Sequence, residues 1–374
     1  MPRSTIFDLK WEKNMVHAAV EKQTASVLVA GNLVLDVTPV FPEQGQTIYM
    51  SDFVPGRLMQ MNGIQIHAGG VCGNVGMALA SLQTEVTIMA HTGNDEIGDI
   101  LRRKLSLSGI QSDFMISDQA NTSYSIVIAP PGIDRIFLHD PGVSDFFDAS
   151  DVTDEKLASS KFFHFGYPPL MRKIYQDNGE SLADMFRRAK RLGLLTSLDM
   201  AFIDPKSPAS EVDWEVILSK TLPFVDYFVP SIDEMASIFF PDRYKERVLG
   251  DALSLSKDLR PLGRRILALG AKHILIKCGE AGIYYLDADS RTEGFCDAFK
   301  PDVVISANGA GDAAVAGFIS SIIHGLSFEQ SVKCAAAAGA LAVSSYNTAS
   351  AIIPIQDIRH RISSGWRQIH SINE

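Results

Sequence analysis

From residue 25 onward the chain alternates short apolar runs with longer stretches of helical period, and this rhythm restricts the possible folds more than any other feature. The apolar runs fall at 26–30, 86–90, 125–129, 135–139, 162–165, 194–198, 225–229, 274–278 and 283–286. Several place apolar side chains at consecutive positions, so both faces of the strand must be covered, as happens when helices flank a sheet on two sides. Helical period follows at 74–82, 95–108, 178–192, 211–220, 233–239, 256–269, 311–324, 327–345 and 355–368. The alternation predicts a three-layer α/β/α sandwich with a mainly parallel central sheet.

Two regions break the rhythm. Residues 36–67 contain Pro39, Pro42 and Pro55, which no helix could span, and residues 121–139 hold two strand-like runs joined by Pro130, Pro131 and Gly132. Both read as small antiparallel strands appended to the main sheet. The expected organisation is an N-terminal extension (1–24), one α/β domain (25–360) carrying the appended strands, and a helix end with a tail (361–374).

Charge and cysteine content exclude several classes of function. With 34 Lys and Arg against 44 Asp and Glu, the net charge is −10, which argues against a surface for nucleic acid but not against a small anionic ligand. Cys72, Cys278, Cys296 and Cys334 form no C-x-x-C pair, so neither a zinc site nor a disulfide framework is expected. No apolar run reaches the 18 residues or so of a membrane span, and no signal-peptide pattern opens the chain. A soluble cytoplasmic protein without a membrane partner is the expectation.

The strongest local signal is Gly309-Ala310-Gly311-Asp312, followed by an apolar helical stretch. Small residues at a helix start leave backbone N–H groups open to a phosphate, and Asp312 in the first turn could take a proton from an alcohol approaching that phosphate. The alternative is structural: Asp312 caps the helix, while Ala313, Ala314, Ala316 and Gly317 let it pack on the alanine-rich segment 334–342. No G-x-x-x-x-G-K-[ST] loop is present.

Four segments together resemble the ribokinase-like, or PfkB, carbohydrate kinase family. These are 67–98 with its glycine pair, VPSIDE (229–234), IKCGEAGIYY (276–285) and 308–344 with GAGD. Their order and spacing agree with the family, and the resemblance covers about residues 25–355. It implies an ATP- and Mg²⁺-dependent kinase that phosphorylates a hydroxyl, taken to be a primary CH2OH, of a sugar or related polyol. On that resemblance Asp312 is the general base, and the amides of Gly309, Ala310 and Gly311 form an anion hole. Asp36, Gly69, Gly70 and Asn74 bind the acceptor. Ser231, Lys277, Gly279 and Gly282 border the nucleotide, and Glu234 organises Mg²⁺ through water. The appended strands become a lid that excludes water and could pair two subunits into a homodimer.

Some positions depart from the family pattern. Ser306, Ala307 and Asn308 stand where Asp-Thr usually precedes GAGD, which puts potassium activation in question. Ser231 replaces an Asn that donates to phosphate, and Lys277 replaces a Thr. Lys277 either supplies a point charge near the phosphates or is a solvated strand end. Val34 replaces a sugar-contacting Asn of ribokinase, so ribose is not assured. Asp95 and Glu96 read as helix-start residues, His67, His139 and His164 as packing residues, and Arg135 as a possible substrate contact. Asp199 ends a strand at the carboxyl edge of the sheet without an assigned role. Two other functions fit the same residues: a nucleoside kinase, or a catalytically weak sensor that binds sugar or nucleotide.

Overall fold

The computed structural model describes residues 27–42, 50–130, 136–370 and 372. The extension 1–24, the Pro131-Gly132 turn and Arg135 lie outside them. In chain order the strands are β1 (Val27–Gly31), β2 (Val34–Pro39), β3 (Ile64–Gly69), β4 (Val86–Gly93), β5 (Gln111–Ser117), β6 (Tyr124–Ile128) and β7 (Ile136–Asp140). They continue with β8 (Phe162–Gly166), β9 (Leu195–Asp199), β10 (Tyr227–Phe228), β11 (His273–Lys277), β12 (Gly282–Asp287), β13 (Thr292–Phe299) and β14 (Gln368–Ile369).

β1 shows why the apolar runs dictate a layered fold. Val27 and Val29 join one hydrophobic core, while Leu28 and Ala30 join another on the opposite face of the strand. The sheet between these cores has the order β14-β13-β12-β11-β10-β9-β8-β1-β4-β5. Every pairing from β5 to β11 is parallel, and β12, β13 and β14 add antiparallel strands at one edge. This is the three-layer sandwich the alternation predicts.

A second sheet of four strands has the order β3-β2-β6-β7. It is mixed rather than wholly antiparallel. β2–β3 and β6–β7 are antiparallel, but β2 and β6 run parallel because two separate insertions meet side by side. The strands also reach beyond the expected limits, from Val34 at one end of the first insertion to Gly69 at the other.

Sequence pattern missed β5 and β13, whose side chains are mostly exposed or half-buried and therefore form no apolar run. Near the C-terminus the helix stops at Ser363, and Gly365 adopts φ +88°. Gln368 and Ile369 then pair with β13, so the segment 361–374 contributes a strand instead of only a tail. The helix Ala310–Ile323 packs closely on the helix Phe328–Ala342. A Cβ at Gly317 would stand 2.7 Å from that of Ala338, so glycine sets this approach. Among the described residues no helix is long and apolar enough to cross a membrane.

Candidate active site

The parallel strands β1, β8, β9 and β11 end along one edge of the sheet, where open α/β folds collect ligands. Their last residues and the loops beyond them bring side chains far apart in sequence to the start of the helix Ala310–Ile323. Gly309 caps that helix with φ +72°, and a Cβ there would fall 1.8 Å from Thr348 Oγ1. Only glycine allows the chain to turn so tightly against Thr348.

Asp312 lies in the first turn and is buried. Its Oδ1 accepts a hydrogen bond from the Tyr167 hydroxyl at 2.6 Å, and its Oδ2 accepts one from Asn74 Nδ2 at 2.9 Å. Thr348 Oγ1 donates to Asn74 Oδ1 at 2.9 Å, which fixes the amide with its donor toward Asp312. Burial pushes the Asp312 carboxyl above the ordinary range, while Lys277, Tyr167 and Asn74 oppose that shift. The result is an oriented carboxyl of raised proton affinity, not a simple helix cap. Tyr167 stays a phenol, because burial and the nearby Asp312 and Asp199 carboxylates hold its pKa well above the usual value.

Lys277, the last residue of β11, lies against the same helix start. A Cβ built on Gly311 would be 3.7 Å from Lys277 Cδ and 3.8 Å from its Nζ. Its ammonium donates to both oxygens of Asp199, at 2.7 and 2.6 Å. Asp199 is fully buried and the Lys277 side chain only 13% exposed, so this is no solvated strand end. Burial alone would lower the Lys277 pKa, but attraction to Asp199, Glu234 and Asp312 outweighs it and keeps the ammonium charged. A buried charge is tolerable when paired in this way.

The amides at this helix start, expected to form an anion hole, differ in availability. Ala310 N–H is directed to the Ala307 carbonyl at 3.3 Å. The first i→i−4 bond of the helix runs from Ala313 N–H to the Gly309 carbonyl at 2.9 Å, so Gly311 N–H belongs to the open end of the helix.

Asp36 sits on β2, buried, in the second sheet. A Cβ at Gly69 would be 2.1 Å from Asp36 Oδ2, so this glycine makes the space for the carboxyl. Burial, with repulsion from Asp312, raises the Asp36 pKa from 3.8 to about 7, and a hydrogen bond from Ser125 acts against it. That mutual repulsion ties Asp36 to the Asp312 end of the cleft. Gly70 turns the chain into the helix Gly70–Ser81 with φ +69°, where a Cβ would be 2.5 Å from Asn32 Oδ1.

Ser231 and Glu234 are joined in a capping box. Ser231 N–H donates to Glu234 Oε2 at 2.6 Å, and Glu234 N–H donates to Ser231 Oγ at 3.3 Å. Ser231 is thus the N-cap of the helix Ile232–Phe239. One carboxylate oxygen of Glu234 is spent on that box, and its charge is felt by both Asp199 and Asp312. Gly282 is packed into the hairpin, where a Cβ would meet the Cys296 carbonyl at 2.1 Å. Around Gly279 nothing stands within 4 Å of a built Cβ. Among the described residues, the grouping with metal-ligand spacing is His273, Asp287 and Asp289, at the far end of β11 from Lys277.

Sequence reasoning missed Tyr167 and Thr348 and left Asp199 unassigned. One signal was available: Tyr167 follows a strand and precedes Pro168-Pro169, and the structure holds it at φ +65°. A non-glycine residue in that region costs about 1 kcal/mol or more and often marks a working site. Asp95 is itself the helix cap, accepting from Gly98 N–H at 2.7 Å, and His164 is fully buried in the core.

Comparison with known proteins agrees with this geometry. The family model described as pfkB family carbohydrate kinase matches residues 43–356. A 2-dehydro-3-deoxygluconokinase of Bacillus subtilis is 25% identical over 312 residues, covering 81% of this chain and 88% of that protein. A pseudouridine kinase of Escherichia coli is 24% identical over 326 residues, covering 85% and 90%. A fructokinase of Xylella fastidiosa, solved with bound ATP, superposes with a TM-score of 0.70 at 19% identity, covering 91% and 99%. The chain belongs to the PfkB family and is a carbohydrate kinase.

Proposed function

We propose that this kinase transfers the γ-phosphoryl group of ATP to a primary hydroxyl of a sugar or related polyol, with Asp312 as general base. The observation that carries the reading is the Asp312 carboxyl, oriented by Tyr167 and Asn74 at the mouth of a helix N-terminus and flanked by the Lys277 ammonium. In phosphoryl transfer the protein positions the reactants and stabilises charge, and these groups suit both tasks. Asp36 and Asn74 orient the acceptor, with Gly69 and Gly70 giving it backbone access. Asp312 takes the hydroxyl proton. The open helix amides and Lys277 face the charge that develops on the transferred group. Ser231, Gly279 and Gly282 border the nucleotide.

Glu234 would hold Mg²⁺ through water, and the ion would supply charge neutralisation at the phosphates. The four-stranded sheet acts as the lid over the acceptor.

A nucleoside acceptor is the second reading, favoured by the likeness to a pseudouridine kinase. A panel of D-fructose, 2-dehydro-3-deoxygluconate and pseudouridine, each with ATP and Mg²⁺, separates the two by which one yields a phosphate ester. Asp312→Asn is expected to lower kcat on the accepted compound at least ~10²-fold, the low end of general-base effects. Unchanged kcat would remove Asp312 from that role, and binding without any ester would favour a sensor.

A further inference from the structure

The chain that follows the helix Phe328–Ala342 reaches back into the site through one side chain. Thr348 is 4% exposed and sits between Gly309 at the helix mouth and Asn74 of the helix Gly70–Ser81. Its own turn holds it there, because Asn347 Oδ1 accepts from the N–H groups of Ala349 and Ser350 at 3.1 and 2.8 Å. Two hydrogen bonds of 2.9 Å then lead from the Thr348 hydroxyl through the Asn74 amide to Asp312 Oδ2. With so little exposure, water is a poor substitute for the hydroxyl.

The direction of these bonds follows from the state in which Asp312 can act. A general base is ionised before it takes a proton, and a carboxylate only accepts. Tyr167 donates to Oδ1, and Oδ2 is left for an N–H of Asn74. The amide oxygen is thereby turned to Thr348, whose hydroxyl donates to it. An amide nitrogen carries two protons, so one N–H of Asn74 remains for the acceptor. A proton on Oδ2 would require the amide to turn over, with its oxygen toward Asp312 and its nitrogen toward Thr348. Bonds that end on a carboxylate are the stronger set, so the Thr348 hydroxyl supports the ionised, working arrangement more than the protonated one.

We propose that Thr348 is a positioning residue, holding the Asn74 amide with one N–H on Asp312 and the other open to the acceptor. The inference rests on the reading of Asp312 as general base. It brings the turn around Asn347 and Thr348, which touches no reactant in that reading, into the working parts of the centre.

The test compares Thr348→Ala with Thr348→Ser, which lose the same methyl group and differ only in the hydroxyl. The acceptor is whichever of D-fructose, 2-dehydro-3-deoxygluconate and pseudouridine is turned over. Thr348→Ala is expected to lower the acceptor kcat/KM about tenfold, as for one buried hydrogen bond, with the KM for ATP within about twofold. Thr348→Ser should recover most of that loss. The acid limb of the same quantity against pH gives a second readout. Around Asp312 the other titratable groups are Tyr167 after β8, Lys277 on β11, Glu234 on the helix Ile232–Phe239, Asp199 on β9 and Asp36 on β2. All are common to both variants, so weaker support of the carboxylate should move the limb to higher pH in Thr348→Ala than in Thr348→Ser. Lost packing alone would lower the rate without moving the limb. Adding Thr348→Ala to Asn74→Ala should cost nothing further, because the effect passes through the amide. Equal kcat/KM in the Ala and Ser variants overturns the proposal, as does an unmoved limb or an additive double variant. Wild-type kcat in Asp312→Asn overturns the base reading itself.

Discussion

The two ends of the cleft hold their charged groups in different ways. At the phosphoryl end, Asp312 is gripped by Asn74 and Tyr167, and Lys277 by both oxygens of Asp199. These residues come from different strands, loops and helices of the large sheet, so the arrangement cannot shift without disturbing both cores. At the other end, Asp36 is buried on β2 of the four-stranded sheet, in register with His67 of β3 and Ser125 of β6. On the function proposed, the contrast separates a centre for chemistry from a frame whose polar contacts can vary with the acceptor. Electrostatic stabilisation needs fixed dipoles and charges, whereas discrimination between acceptors needs only a few well-placed hydrogen bonds.

The largest effect should come from breaking the rigid end. Lys277→Ala leaves Asp199 buried and unpaired, and urea denaturation should show a loss of about 3–5 kcal/mol. Lys277→Ala combined with Asp199→Ala should recover much of that loss. An additive double mutant would mean that the pair does not act as a unit.

At the acceptor end the corresponding test is pH. Asp36 takes up a proton more readily when folded, near pH 7, than at the ordinary carboxyl value of 3.8. Its contribution to stability is therefore complete below about pH 4 and is lost as pH rises through about 7. Asp36→Asn should flatten this part of the stability profile and exceed wild type above pH 7, by at most about 4 kcal/mol. Parallel wild-type and variant profiles across that window would contradict the account.

A smaller effect is expected for Tyr167→Phe. It keeps the ring but removes one donor to Asp312, so kcat should fall about tenfold while the acceptor KM stays nearly constant. A rise in KM with kcat preserved would move Tyr167 to the acceptor side of the comparison.

Much of this centre was readable before the fold was known. The strand–helix alternation identified the layers because each central strand needs two apolar faces, and GAGD marked the helix start because small residues leave its amides open. Serine and glutamate three residues apart at 231 and 234 were also a legible capping box, although the sequence reading treated Ser231 as a lost donor. Tyr167, Thr348 and the Asp199–Lys277 pair were not legible. Asp199 and Lys277 are 78 positions apart, and Thr348 and Asn74 are 274 apart. Their pairing follows from strand order and register, which a residue pattern does not encode. β5 at one edge, and β13 next to the short β14 at the other, escaped for the opposite reason, since a half-exposed strand needs no apolar run.

The account's central claim is that Asp312 activates the acceptor hydroxyl at the mouth of the helix Ala310–Ile323. The most direct measurement is ³¹P NMR of ATP, Mg²⁺ and the accepted compound with wild type and with Asp312→Asn, alongside the acceptor affinity of each. The account predicts ADP and a phosphate ester in equal amounts from wild type. For Asp312→Asn it predicts ester formation slowed at least ~10²-fold with acceptor binding largely retained. Ester formation by Asp312→Asn at the wild-type rate would contradict it.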